Sequence, residues 1–131
     1  MTTVEPEVLA ELRSLRARVP HLTGGLVAST DGLVIAHDTS GIEPDGVAAL
    51  TAAALGVGTR LTDATGQGGF RELMARGDRG YVATYAAGRT ATLTVVAGPD
   101  TNVGRLHLEA RRSSGRIGDL VDAAPDQQER K

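Results

Sequence analysis

The chain has 131 residues, the length of a single domain. Lys and Arg total 14 against 16 Asp and Glu, a formal charge of −2, and apolar residues make up 40%, the balance of a globular protein. Cysteine is absent, which excludes disulfides, thiol catalysis and cysteine-based zinc sites together.

The first predicted element is a helix from Glu5 to Arg18. Val8, Leu12, Leu15 and Val19 recur at helical spacing and make one apolar face, which Leu9 widens. Pro6 suits the opening turn. Pro20 stops the helix, because the residue before a proline avoids the helical region.

A β-hairpin follows. Asp31-Gly32 separates the β-prone runs Gly24–Thr30 and Leu33–His37, a strong short-range hairpin signal. Gly32 supplies the positive φ that the turn demands.

The second helix is expected from Pro44 to Ala64, with Asp45 complementing the positive end of its dipole. Val47, Leu50, Ala54, Val57, Leu61 and Ala64 form an unbroken stripe, which we assign to the core. Ala49, Ala53, Gly56 and Arg60 form a second stripe, and Ala48, Ala52, Leu55 and Thr59 lie farther round. A helix apolar over so much of its circumference has more than one face to cover. Its small residues allow another backbone to come close, although Gly56 and Gly58 weaken it intrinsically.

After the loop Gly66–Gly69 come three strands, Phe70–Arg76, Gly80–Ala86 and Thr90–Ala97, with turns at Gly77-Asp78 and Ala87-Gly88. The last of these is β-branched and weakly alternating, as in a central strand covered on both faces. A final helix is expected over Asn102–Ala123, capped by Asp100 or Thr101, with Gly115 as a point of kinking. Residues 125–131 are polar and expected to form a disordered tail after a domain at 1–124.

The element order is therefore α-β-β-α-β-β-β-α. Hairpins demand an antiparallel sheet, and three amphipathic helices cover its faces, the middle one alone on one side. This is an α+β fold. No tandem repeat is visible.

The run Gly25-Leu26-Val27-Ala28-Ser29-Thr30-Asp31-Gly32-Leu33-Val34-Ile35-Ala36, preceded by a helix ending Arg18-Val19-Pro20, resembles the Roadblock/dynein light chain family. The likeness in element order extends from about Glu5 to Val121. It implies a five-stranded antiparallel sheet with helices on both faces, related to profilin and longin. It also implies a protein with no catalytic residues and no cofactor, dimerising through its second helix and third strand. Here those positions are Ala48, Ala49, Ala52, Ala53, Leu55, Gly56 and Arg60, with Phe70, Glu72 and Met74 on the strand; Asp31 and Gly32 are structural turn residues. Prokaryotic relatives act with small Ras-like GTPases as activators or scaffolds, in some cases beside a sensor-kinase-like protein. The implied role is that of a GTPase regulator; the alternative is a small-molecule sensor domain of a profilin-like fold.

Other motifs read more plainly. His21, His37 and His107 fall on different elements with no ligand spacing. Ser29, Ser113 and Ser114 lack a nucleophile elbow. Gly66-Gln67-Gly68-Gly69 lacks the Lys-Ser/Thr of a phosphate loop and follows a helix instead of a strand. Arg76-Gly77-Asp78 is a turn. Arg60, Arg71, Arg76, Arg79 and Arg89 are weighed as partner contacts, since an arginine supplied in trans can stabilise GTP hydrolysis, and are read as solubilising. Arg111, Arg112 and Arg116 are read as a solvated helix face. Only Phe70, Tyr81 and Tyr85 are aromatic, too few for base stacking, so no nucleic-acid partner is expected. No apolar run approaches the roughly 18–20 residues of a membrane span. The opening residues lack a secretory pattern. The expected location is cytoplasmic.

Overall fold

The computed structural model describes residues 4–124. The tail expected at 125–131 lies outside the described residues. The elements are α1 (Glu5–Arg18), β1 (Leu22–Ser29), β2 (Val34–Asp38), α2 (Pro44–Ala64), β3 (Glu72–Gly77), β4 (Gly80–Ala87), β5 (Ala91–Ala97) and α3 (Val103–Ala123). The order matches the sequence reading. The five strands form one antiparallel sheet in the order β2-β1-β5-β4-β3.

The centre of the sheet is β5, paired on both sides. Leu26 of β1 lies opposite Thr94, and Val27 opposite Leu93. Side chains alternate between faces. Val27, Leu93 and Val95 enter a core closed by Val8, Leu12 and Leu15 of α1 and by Leu106, Ala110 and Ile117 of α3. Leu26 and Ala28 point the other way and pack on Ala48 of α2. Thus α1 and α3 share one face of the sheet, and α2 stands alone on the other. Beneath it the sheet carries Thr84 and Thr94, buried, with hydroxyls 3.0 Å apart.

Local chemistry explains the element ends. Gly32 has φ +94°, and its amide donates to the Ser29 carbonyl at 2.9 Å, closing the β1–β2 turn. The Ser29 hydroxyl also pairs with the Asp31 carboxylate. Glu43 caps α2 by accepting from the Gly46 amide. The α3 cap is Asn102, which accepts from the Arg105 amide at 3.0 Å. That corrects the choice of Asp100 or Thr101: the hydroxyl of Thr101 bonds back to the Gly98 carbonyl at 2.7 Å instead. The helix assignment of α3 continues through Gly115 to Ala123.

One assignment is reversed. Of the stripe Val47, Leu50, Ala54, Val57, Leu61, Ala64, only Val47 packs on the core, against Leu26, Ala28 and Ala48, and Ala54 is half-buried; the larger residues beyond Val47 face outward. Leu50 is 71% exposed, Val57 58% and Leu61 56%. The buried residues of α2 are Ala48, Thr51 and Gly58. Small side chains let the helix settle close on the sheet, and the larger ones are turned outward.

Candidate interaction surface

The outward stripe of α2 is the most apolar exposed helix face among the described residues. Leu50, Val57 and Leu61 lie one to two turns apart on one side of the rod. Ala49, Ala53, Gly56 and Arg60 border the stripe and are exposed; Ala52 and Leu55 are half-buried. Ala48 is fully enclosed by its own chain, against Leu26 and Ala28. It cannot reach a second molecule, which removes it from the expected contact set.

Beside this stripe the sheet ends in β3, which pairs only with β4. The outer backbone groups of such an edge are free to pair with another strand. Leu73 of β3 and Val82 of β4 are also exposed, at 41% and 37%. They lie on the α2 side of the sheet, since Met74 packs into the opposite core. The expected strand contacts therefore divide. Phe70 leans on α2, its ring over Gly58. Met74 is turned away into the core, and Glu72 is turned the same way.

Glu72 is held by α3. Arg111 grips it with two N–H groups, Nε at 2.9 Å and Nη2 at 2.5 Å, the fork geometry of a strong pair. That hydrogen bond is the main reason the Glu72 carboxyl is held below the ordinary carboxylate range. His107 approaches the same carboxylate at 3.5 Å, and its Nδ1 lies 2.8 Å from the Tyr85 hydroxyl. Burial, assisted by the Glu72 charge, pushes the Tyr85 phenol up, so it stays protonated as a donor or acceptor and not as a nucleophile. These four groups brace the edge strand against α3. The sequence reading missed the set because its members come from three elements.

The remaining polar residues are structural. Arg18 binds Glu109 at 2.9 Å and the Ser113 hydroxyl at 2.9 Å, and the Ser113 hydroxyl donates to Glu11 at 2.7 Å, so Ser113 fastens α3 to α1. Ser114 bonds to the Arg111 carbonyl at 2.9 Å, and Ser29 belongs to the hairpin turn. His21, at φ +71°, and His37 stand apart from His107. Among the described residues no three His, Asp or Glu side chains gather as metal ligands would, and no helix is long and apolar enough to cross a membrane. Arg76 lies over the Tyr81 ring at 6.0 Å beside the Gly77-Asp78 turn.

Comparison with known proteins fits this architecture. No curated protein matches significantly. The gliding protein MglB of Thermus thermophilus superposes with a TM-score of 0.83 at 21% identity, covering 95% of each chain. A Roadblock/LC7 domain from Streptomyces avermitilis gives 0.80 at 25% identity, over 88% of this chain and 98% of that one. Profilin IA of Acanthamoeba castellanii shares the fold more distantly, at 0.57 and 14% identity over 91% of this chain and 99% of that one. The model of the Roadblock/LC7 domain family matches residues 8–97, from the buried face of α1 to the end of the central strand. On that match, with the sheet order and helix placement described above, the chain belongs to the Roadblock/LC7 domain family.

Proposed function

We propose that this protein is a non-catalytic, homodimeric regulator or scaffold of a small Ras-like GTPase, acting in the cytoplasm beside a sensor-kinase-like partner. The observation that carries the reading is the bare apolar stripe of α2 next to the open edge of β3. Covering what remains exposed of Leu50, Val57 and Leu61 would contribute about 1–2 kcal/mol per side chain. A second copy is the occupant that suits both features. Ala53 and Ala54 stand midway between Leu50 and Val57. Two antiparallel α2 helices crossing there would set Leu50 of one copy against Val57 of the other, with small residues at the point of closest approach. The two β3 edges would then lie side by side. An MglB of the same fold has been solved in a tetrameric arrangement, which supports self-association in such proteins.

The expected contact set is amended accordingly. Ala49, Ala53, Gly56 and Arg60 remain. Leu50, Val57 and Leu61 join them as the main source of buried area. Glu72 and Met74 act from behind, holding β3 in place.

The sensor reading has less support. The hollow beside Arg71, Glu72, Tyr85 and Arg111 measures about 600 Å³, but it is an open groove and not the enclosed, largely apolar site that small ligands favour.

The regulatory role is tested by GTP hydrolysis. A small Ras-like GTPase from the same organism is assayed alone, with the wild type, and with Leu50→Glu. A changed hydrolysis rate or nucleotide-release rate that Leu50→Glu abolishes supports the reading. Unchanged rates, with no association in a pull-down, refute it.

A further inference from the structure

The outer face of α3 lies across the sheet from α2 and takes no part in the dimer described above. Arginine dominates it. Arg111 is paired with Glu72, Arg112 with Glu109 and Arg116 with Glu11. In each pair the arginine side chain is more than half exposed, at 58%, 58% and 54%, while its carboxylate is sunk to 24%, 12% and 14%. The carboxylates lie underneath and the guanidinium groups form the outer layer. This differs from a solvated helix face, where long side chains wave freely. Arg111 is held by two of its five N–H donors and Arg116 by one, at 3.1 Å from Glu11, while Arg112 only approaches Glu109, at 3.8 Å, and the other donors are left for another acceptor.

Two further features lie on the same line of the helix. Leu108 is 49% exposed between Arg111 and Arg112. One turn beyond them, Gly115 opens onto empty space, so the helix backbone is uncovered there. To one side runs the groove of about 600 Å³, lined by Arg71, Tyr85, Ala86, Arg111 and Ser114 and by Glu72, whose carboxylate is already taken up by Arg111. Arg71 makes no ion pair among the described residues.

We propose that this face docks an acidic peptide segment of a partner protein, with one apolar side chain on Leu108 and flanking carboxylates on Arg71, Arg111 and Arg112. Charge complementarity selects the acidic partner. The groove, which an extended chain can enter and a flat bilayer cannot, selects a peptide over an anionic membrane, and the apolar seat selects it over a nucleic acid, which would need only the charges.

The probe is a fluorescein-labelled peptide of alternating Asp and Glu around a single leucine, titrated with the full chain and read by fluorescence anisotropy. Controls are the same peptide with serine in place of leucine, vesicles containing phosphatidylserine, and a short DNA duplex. The expected result is saturable binding to the leucine peptide that weakens as salt is raised. Binding to the serine peptide should be about tenfold weaker, with little retention of vesicles or DNA. Arg71→Ser and Arg112→Ser should each weaken binding by up to about fivefold, and Leu108→Ser by about tenfold. Arg71 has no ion-pair partner among the described residues, and Glu109 retains Arg18 when Arg112 is removed. The fold and the dimer should therefore survive both changes, which circular dichroism and light scattering verify. Equal binding of both peptides, equal retention of vesicles or DNA, or no peptide binding would each overturn the proposal.

Discussion

The ring of Phe70 occupies the space in which a Cβ on Gly58 would stand. This contact joins the last turns of α2 to the segment entering β3, the two elements on which the proposed dimer depends. Gly58 is buried for that reason, whereas Gly56, two residues earlier, faces open space. Two glycines in one helix should therefore respond oppositely to alanine. Gly58→Ala should destabilise the fold by about 1–3 kcal/mol through overpacking. In the single-chain Leu50→Glu background, where no second copy covers it, Gly56→Ala should stabilise the fold by up to about 1 kcal/mol through helix propensity. Urea denaturation of both variants measures the difference.

The exposed and buried sides of α2 predict a second contrast. Leu50→Glu should leave circular dichroism and the cooperative thermal transition intact while reducing the particle to one chain. Ala48→Glu should unfold the protein, because a carboxylate would be buried unpaired against Leu26 and Ala28. If both variants fail in the same way, the assignment of faces is wrong.

The absence of native cysteine makes cross-linking clean. Ala53→Cys places one thiol at the proposed crossing of the two α2 helices, where mild oxidation should yield a covalent dimer on a non-reducing gel. Ala10→Cys, exposed on α1 across the sheet, should remain a single chain under the same conditions. A disulfide needs Cα atoms within about 7 Å, so the pattern reports the crossing point directly.

Glu72 and Arg111 give the protein a defined acid sensitivity. The Glu72 carboxyl is held below its ordinary value of 4.5, chiefly by the Arg111 hydrogen bond. A carboxylate with a depressed folded-state value contributes stability that is fully present above its unfolded value. That contribution is lost as the pH falls through the folded one. Arg111→Gln should therefore be less stable than the wild type at pH 7, and the gap should close as the pH falls below the ordinary carboxylate range. Thermal melts across that range provide the check.

Much of this architecture is legible in the residues themselves. Asp31-Gly32 marks the first hairpin, Pro20 the end of α1, and Gly98-Pro99 the end of β5, all by local backbone chemistry. The orientation of α2 is not legible. Its apolar residues surround the rod, so periodicity offers two faces of similar hydrophobicity. What selects between them is the distance at which the helix meets the sheet, which depends on Leu26, Ala28 and Thr94 on remote strands. Close approach favours Ala48, Thr51 and Gly58 inward, and the bulkier Leu50, Val57 and Leu61 are left outside. The brace of Glu72, Tyr85, His107 and Arg111 was hidden for a related reason. Its members are brought together by strand register and the placement of α3, and no local spacing announces them.

The central claim is that two copies meet through the outward stripe of α2. Size-exclusion chromatography with light scattering, at tens of micromolar protein, tests it most directly. For a chain of 13.5 kDa the account predicts twice that mass for the wild type and the single-chain mass for Leu50→Glu and Val57→Glu. A wild type that elutes as one chain across that concentration range would contradict it.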